Sequence, residues 1–190
     1  MIFWRGFSRI ECSVKGVKTM TTTASKNELS DFNDLYLEQL RDLYSAENQI
    51  IKALPKLVAA ATEPKLKEGF QLHLEQTKEH AHRLEQIFSK LGDSPEGTTC
   101  KAMKGLIAEG QETLEEGKPG PVLDAALIAG AQRIEHYEIA AYGTVKTFAK
   151  HIGDKEAVSL LDQTLNEEKA TDEKLSTVAE TVVNSKALKK

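Results

Sequence analysis

Five carboxylates and two imidazoles stand at helical spacing in the middle of otherwise apolar stripes: Glu47, His73, His80, Glu135, Glu138, Glu168 and Asp172. In four segments of the chain, alternate steps of three and four residues trace the face that a helix turns toward a core. The first stripe is Tyr36, Leu40, Leu43, Glu47, Ile50, Leu54, Leu57 and Ala61. The second is Leu66, Phe70, His73, Thr77, His80, Leu84, Ile87 and Leu91. The third is Ile128, Ala131, Glu135, Glu138, Tyr142, Val145, Ala149 and Ile152, and the fourth is Val158, Leu161, Leu165, Glu168, Asp172, Leu175, Ala179 and Val182. Charged and imidazole members occur only near each midpoint. The midpoints of packed helices share one layer whichever way each helix runs, so these seven residues are expected to converge.

Five anions cannot share a dry layer, because each uncompensated buried charge costs several kcal/mol. Protonation, a neighbouring Lys or Arg, or a metal cation relieves that penalty. No Lys or Arg falls in the central stripe positions. Carboxylates with imidazoles are a donor set for iron, manganese or zinc, and two divalent ions would cancel four negative charges. A single acid in a stripe is ordinarily a boundary residue with its head in water, and a single histidine an ordinary core residue. The coincidence across four segments is what points to metal. Gln76 borders the second stripe as a possible neutral ligand, and Tyr44, Tyr137 and Tyr142 lie near the layer with hydroxyls that can bond to ligands. Glu79 and His82 fall on the opposite face of their segment and are expected to point to solvent.

Helices must carry these residues. The first segment runs over residues 31–62, with Ser30 or Asp31 as N-cap and Pro55 expected to kink its last turns or end it early. The second starts at Pro64, suited to a first helical turn, and ends at Leu91-Gly92. The third starts after Pro119-Gly120-Pro121 and ends at residues 151–153. The fourth is capped by Asp154 and runs to about Asn184. Each is near 30 residues, roughly 45 Å of helix. Very short turns within the first and second pairs force antiparallel hairpins. The long link between them, residues 93–120, holds a modest amphipathic helix over 100–116. Two hairpins joined by a long crossover is ferritin-like topology; a simple up-down bundle is the alternative.

Composition agrees with an all-α reading. The 190 residues include only 12 Gly and 5 Pro, and aromatics make up 6%. With 40% hydrophobic residues the chain is too apolar for disorder, and it lacks the β-branched and aromatic runs of a sandwich or barrel. The formal charge is −4. Residues 1–30 are set apart as an N-terminal extension, with Met20 as a candidate true start. Without the first 19 residues the body holds 21 basic and 28 acidic residues. A net of −7 argues against nucleic acid as the main partner. Cys12 and Cys100 are unpaired in spacing, which fits a reducing cytoplasm, and no apolar run is long enough to span a membrane. The bundle is expected over residues 31–184, with 185–190 as a frayed tail.

The segments LYSAENQIIKAL, HLEQTKEHAHRLEQ, DAALIAGAQRIEHYEIAAYGT and LNEEKATDEKL closely resemble the YciE/YciF family of ferritin-like bacterial proteins. The resemblance covers nearly all of residues 30–182. It implies a ferritin-like four-helix bundle with an extra short helix, a homodimer, a link to stress responses and a dinuclear metal centre. The general ferritin-like pattern is one Glu on each of two helices and Glu-x-x-His on each of the others. Here the third segment offers Glu135-x-x-Glu138 and the fourth Glu168 and Asp172 without a histidine. The second offers His73, Gln76 and His80, with Gln76 where a bridging carboxylate is expected. Two functions follow. One is a stress-associated metalloprotein whose paired Fe ions, or Mn or Zn in their place, react with O2 or peroxide. The other is a non-catalytic dimeric bundle with a structural or interaction role, in which the metal site is structural or vestigial.

Overall fold

A computed structural model describes residues 29–189. The proposed extension and the candidate start at Met20 therefore lie outside the described residues, apart from Leu29 and Ser30. The described chain is helical throughout, with no strand: α1 (Phe32–Ala60), α2 (Pro64–Leu91), α3 (Lys101–Glu116), α4 (Pro121–Ile152), α5 (Lys155–Val178), a π-helical turn (Ala179–Val183) and α6 (Asn184–Ala187). None of these helices is long and apolar enough to cross a membrane.

Local chemistry sets the boundaries. Asp31 caps α1 by accepting from the Asp34 amide at 2.8 Å. Pro64 opens α2 and Pro121 opens α4. Gly92 and Gly153 end α2 and α4 at φ +68° and +87°, a backbone that favours glycine. Asp154 caps α5. Pro55 neither ends nor shortens α1 substantially, since the helix runs on to Ala60. Pro55 is exposed, so water can serve the carbonyl one turn back that loses its amide partner.

Turns of two or three residues fold α1 against α2 and α4 against α5 as antiparallel hairpins, and α3 lies in the crossover against α1 and α4. The two hairpins are tied at one end by Asp124. Its carboxylate accepts from the Thr62 amide at 2.8 Å, the Thr62 hydroxyl at 2.6 Å and the Glu63 amide at 3.0 Å. The expected end near Asn184 is passed. The π-helical turn moves the buried position from Val182 to Val183, and α6 continues to Ala187, where Lys186 reaches Glu63 at 2.6 Å.

The interior has two apolar lobes. One gathers Ile50, Leu54, Phe70, Leu127, Ile128 and Leu175 with their neighbours, and the other Leu40, Leu43, Leu84, Phe88, Val145 and Leu161. In every long helix the residues between the two sets are the polar ones: Glu47 on α1, His73, Thr77 and His80 on α2, Glu135 and Glu138 on α4, Glu168 on α5.

Candidate metal centre

Because the helices alternate in direction and their polar positions are central, six of the seven predicted side chains meet in one buried layer. Glu47, His73, His80, Glu135, Glu138 and Glu168 are each no more than 3% exposed. Their donor atoms form two groups, each with its atoms within 4.8 Å of one another. His73, Glu135, Glu138 and Glu168 make one, and Glu47, His80 and Glu168 the other. Glu168 belongs to both.

Asp172 is not brought into either group. It is half-buried at the flank, its carboxylate 3.3 Å from Nε2 of the exposed His136 and 3.5 Å from Nε2 of Gln132. A step of four residues advances 400°, or 40° past a full turn, so the inward path on α5 goes from Glu168 to Leu175 and leaves Asp172 beside it. Gln76 is likewise half-buried and lines a shallow groove with Thr171 and Lys174. Glu79 and His82 point outward as expected. Of the three tyrosines only Tyr142 touches the layer, donating its hydroxyl to Glu47. Tyr137 donates to Asp42 and Tyr44 to Glu85.

The separations suit shared coordination. His80 Nδ1 lies 2.8 Å from Glu168 Oε1 and 3.7 Å from Glu47 Oε1, and His73 Nε2 lies 3.3 Å from Glu135 Oε1. Two donors at right angles on one ion, each about 2.1 Å from it, stand about 3 Å apart. Although His80 and Glu168 are an ion pair by distance, none of these contacts has hydrogen-bond geometry. Among the described residues ten buried side-chain atoms lack a hydrogen-bond partner, and eight are in this layer. They are Glu47 Oε2, His73 Nε2, His80 Nδ1, Glu135 Oε2 and both oxygens of Glu138 and Glu168. Such groups are rare in folded proteins, and their clustering on one set of N and O donors fits cations.

Titration behaviour reports the same tension. Burial pushes Glu135 and Glu138 well above the usual carboxylate range, and the Glu168 charge pushes them further. Burial also raises Glu47, against the pull of His80. Burial would lower His80, but Glu168 and Glu47 outweigh it and push the imidazole up to about 10. His73 is lowered, chiefly by burial. Burial would raise Glu168, yet His80 and His73 hold it below its ordinary value. Without metal, the surroundings of Glu135, Glu138 and His80 thus favour proton binding over the ordinary state of each group.

Sequence reasoning missed the group that holds His80. His80 Nε2 is 2.8 Å from Glu167 Oε2, and Arg83 grips Glu167 from Nη1 at 2.6 Å and Nη2 at 3.1 Å. Arg83 also donates to the Thr164 hydroxyl. A carboxylate behind a histidine fixes its tautomer and aims the other nitrogen, here Nδ1, into the layer. Glu167 lies 100° round α5 from Glu168, outside any apolar stripe. Its only trace in the sequence is its place next to a predicted ligand.

The comparisons bear on this layer and its scaffold. A family model described as a domain of unknown function, DUF892, matches residues 31–188. The chain is 44% identical over 160 residues to protein YciF of Escherichia coli strain K12, covering 84% of this chain and 96% of that protein. Among solved structures it is similar to the E. coli stress protein YciF, with a TM-score of 0.78 and 44% identity over 82% of this chain and 98% of that one. YcfI from Rhodopseudomonas palustris is equally similar in structure, with a TM-score of 0.78 and 48% identity over 82% of this chain and 99% of that one. With matches of this extent in both sequence and structure, the chain belongs to the YciF family of ferritin-like proteins.

Proposed function

We propose that this protein is a stress-associated metalloprotein whose central layer holds a dinuclear centre of iron or manganese. One observation carries the reading: eight buried ligand-type atoms without hydrogen-bond partners face one another at mid-bundle, in two groups joined by Glu168. Glu47, His80 and Glu168 would hold one ion, and His73, Glu135, Glu138 and Glu168 the other. When bound, iron or manganese supplies one-electron redox chemistry toward O2 or peroxide.

The chain's own residues serve that chemistry. Glu168 carries the charge common to both positions. Glu167 and Arg83 orient His80, Tyr142 holds Glu47 from within its apolar lobe, and that lobe, with Leu40, Leu43 and Leu84, packs one side of the layer closely. Zinc suits the same donors without redox chemistry. The reading keeps the homodimer and the cytoplasmic location; light scattering and fractionation test them.

Anaerobic titration of purified protein with Fe(II) or Mn(II), read by metal analysis after gel filtration, tests the centre. Near two equivalents per chain are expected. His80→Ala should leave about one equivalent, and Glu168→Ala should lose most of both. Retention of no ion by folded wild-type protein would sink the proposal.

A further inference from the structure

A cavity of about 180 Å³ lies between α3 and the α1–α4 pair, reaching the metal layer. Its walls are apolar, among them Leu54, Leu57, Phe70, Leu106, Leu127 and Ile134. Its lining includes the small residues Ala53, Gly110, Ala126, Gly130 and Ala131. A Cβ added at Gly110 or Gly130 would meet no atom within 4 Å. At its polar end are His73 and Glu135, whose Nε2 and Oε2 have no hydrogen-bond partner.

The opposite end is charged. Lys52 and Lys56 are exposed at the rim. Lys56 Nζ donates to Gln111 Oε1 at 2.9 Å, and among the described residues neither lysine pairs with a carboxylate. Two cations without anions at the mouth of an apolar pocket complement a molecule with an anionic head and a hydrocarbon tail. Size narrows the class. An engineered apolar cavity of about 150 Å³ in another protein stays dry and takes up benzene. The slightly larger space here accepts a ring or a chain of roughly seven carbons, far short of a membrane-lipid acyl chain.

We infer that this cavity binds a free medium-chain monocarboxylate, with its carboxylate on Lys52 and Lys56 and its tail directed at His73 and Glu135. The inference rests on the metal reading above only for what the tail end would meet; binding itself is a property of the cavity. It makes α3, the extra helix of the crossover, the wall that shapes a substrate-sized space beside the metal layer.

Calorimetric titration of the full chain, with and without Mn(II), tests this with butanoate, hexanoate, octanoate, dodecanoate and octanol. Affinity should rise about fourfold per added methylene up to octanoate and then level off. Octanol should bind about fivefold more weakly than octanoate, and Lys52→Gln with Lys56→Gln should erase that difference. Gly130→Leu fills the space and favours the helix, so it should weaken octanoate at least tenfold while Mn(II) uptake and melting temperature hold.

No octanoate binding to wild type, equal binding by Gly130→Leu, or octanol binding as tightly as octanoate would each overturn the inference. So would affinity still climbing through dodecanoate, which marks a lipid-binding groove. Octanoate binding without any Mn(II) uptake would overturn the metal reading and uphold the cavity; Mn(II) uptake without octanoate binding would do the reverse.

Discussion

Replacing Glu138 by leucine should stabilise the metal-free protein and remove about half of its response to metal. Glu138 is fully buried, neither of its oxygens has a hydrogen-bond partner, and its neighbours Glu168, Glu47 and Glu135 are themselves acidic. Burial favours its neutral form, and the penalty that leucine relieves is then that of an unpartnered neutral polar group, about 1–3 kcal/mol. Leucine is of similar size and extends the apolar lobe of Tyr142 and Val145. For a chain of this length each kcal/mol moves the melting temperature by about 2–4 °C, so the variant should melt roughly 2–12 °C higher. In wild type, Mn(II) at a hundredfold excess over the Kd of each site should add about 2.7 kcal/mol per ion, or roughly 11–22 °C for two. The variant damages one of the two groups and should lose about half of that rise. The assay is a thermal melt followed by circular dichroism, with chelator and then with Mn(II). A variant that melts lower than wild type in chelator and keeps the full Mn(II) shift would show that Glu138 is a packing residue, and the donor-layer reasoning would fail.

Three further outcomes are expected. Glu47, Glu135, Glu138 and His80 all bind protons more tightly in the fold than in the unfolded chain, so their contribution is full below the unfolded values and lost as pH rises; His73 alone opposes them between pH 5 and 8, while the opposing effect of Glu168 lies below that range. The metal-free melting temperature should therefore fall from pH 5 to 8, by roughly 1.4 kcal/mol per pH unit for each net proton, and Mn(II) should flatten or invert that slope; a metal-free protein that stabilises with rising pH would contradict this. Glu167→Gln should weaken metal affinity about 10- to 100-fold, seen in competition with a chelating dye, while leaving the saturated stoichiometry unchanged. Asp124→Ala removes three hydrogen bonds from Thr62 and Glu63 to a buried acceptor and should cost about 3 kcal/mol, roughly 1 kcal/mol for each, read as a lower denaturation midpoint in urea at unchanged slope.

How far the site could be read from the sequence depended on whether a residue's role followed from its own helix. Glu47, His73, His80, Glu135, Glu138 and Glu168 interrupt apolar stripes, and burial of the stripe buries them too. Asp172 follows the same arithmetic but fails, because a four-residue step drifts by 40° and the partner across α5 there is α4's Gln132, not the layer. Glu167 and Arg83 lie outside every stripe, and their value comes from a cross-helix pair between α2 and α5 that no single-helix period encodes. Asp124 reads as an ordinary first-turn acid; its burial at 1% exposure is created by the turn of the other hairpin. The helix boundaries were legible because proline, glycine and aspartate act locally, whereas Pro55 depended on which side of α1 met water.

The split of the interior into two apolar lobes acts like a vernier on the bundle. Sliding any long helix by one turn, about 5.4 Å, would press a carboxylate or imidazole against the leucines of a lobe and pull a leucine into the polar layer. Slippage in either direction is penalised, and for all four helices at once, since each carries its mark at the same height. Leucine and alanine alone would not enforce this, because one turn of an apolar stripe resembles the next. A bundle with the whole layer made apolar should melt higher yet show doubled amide resonances along α1 and α5, the signature of more than one packing alignment.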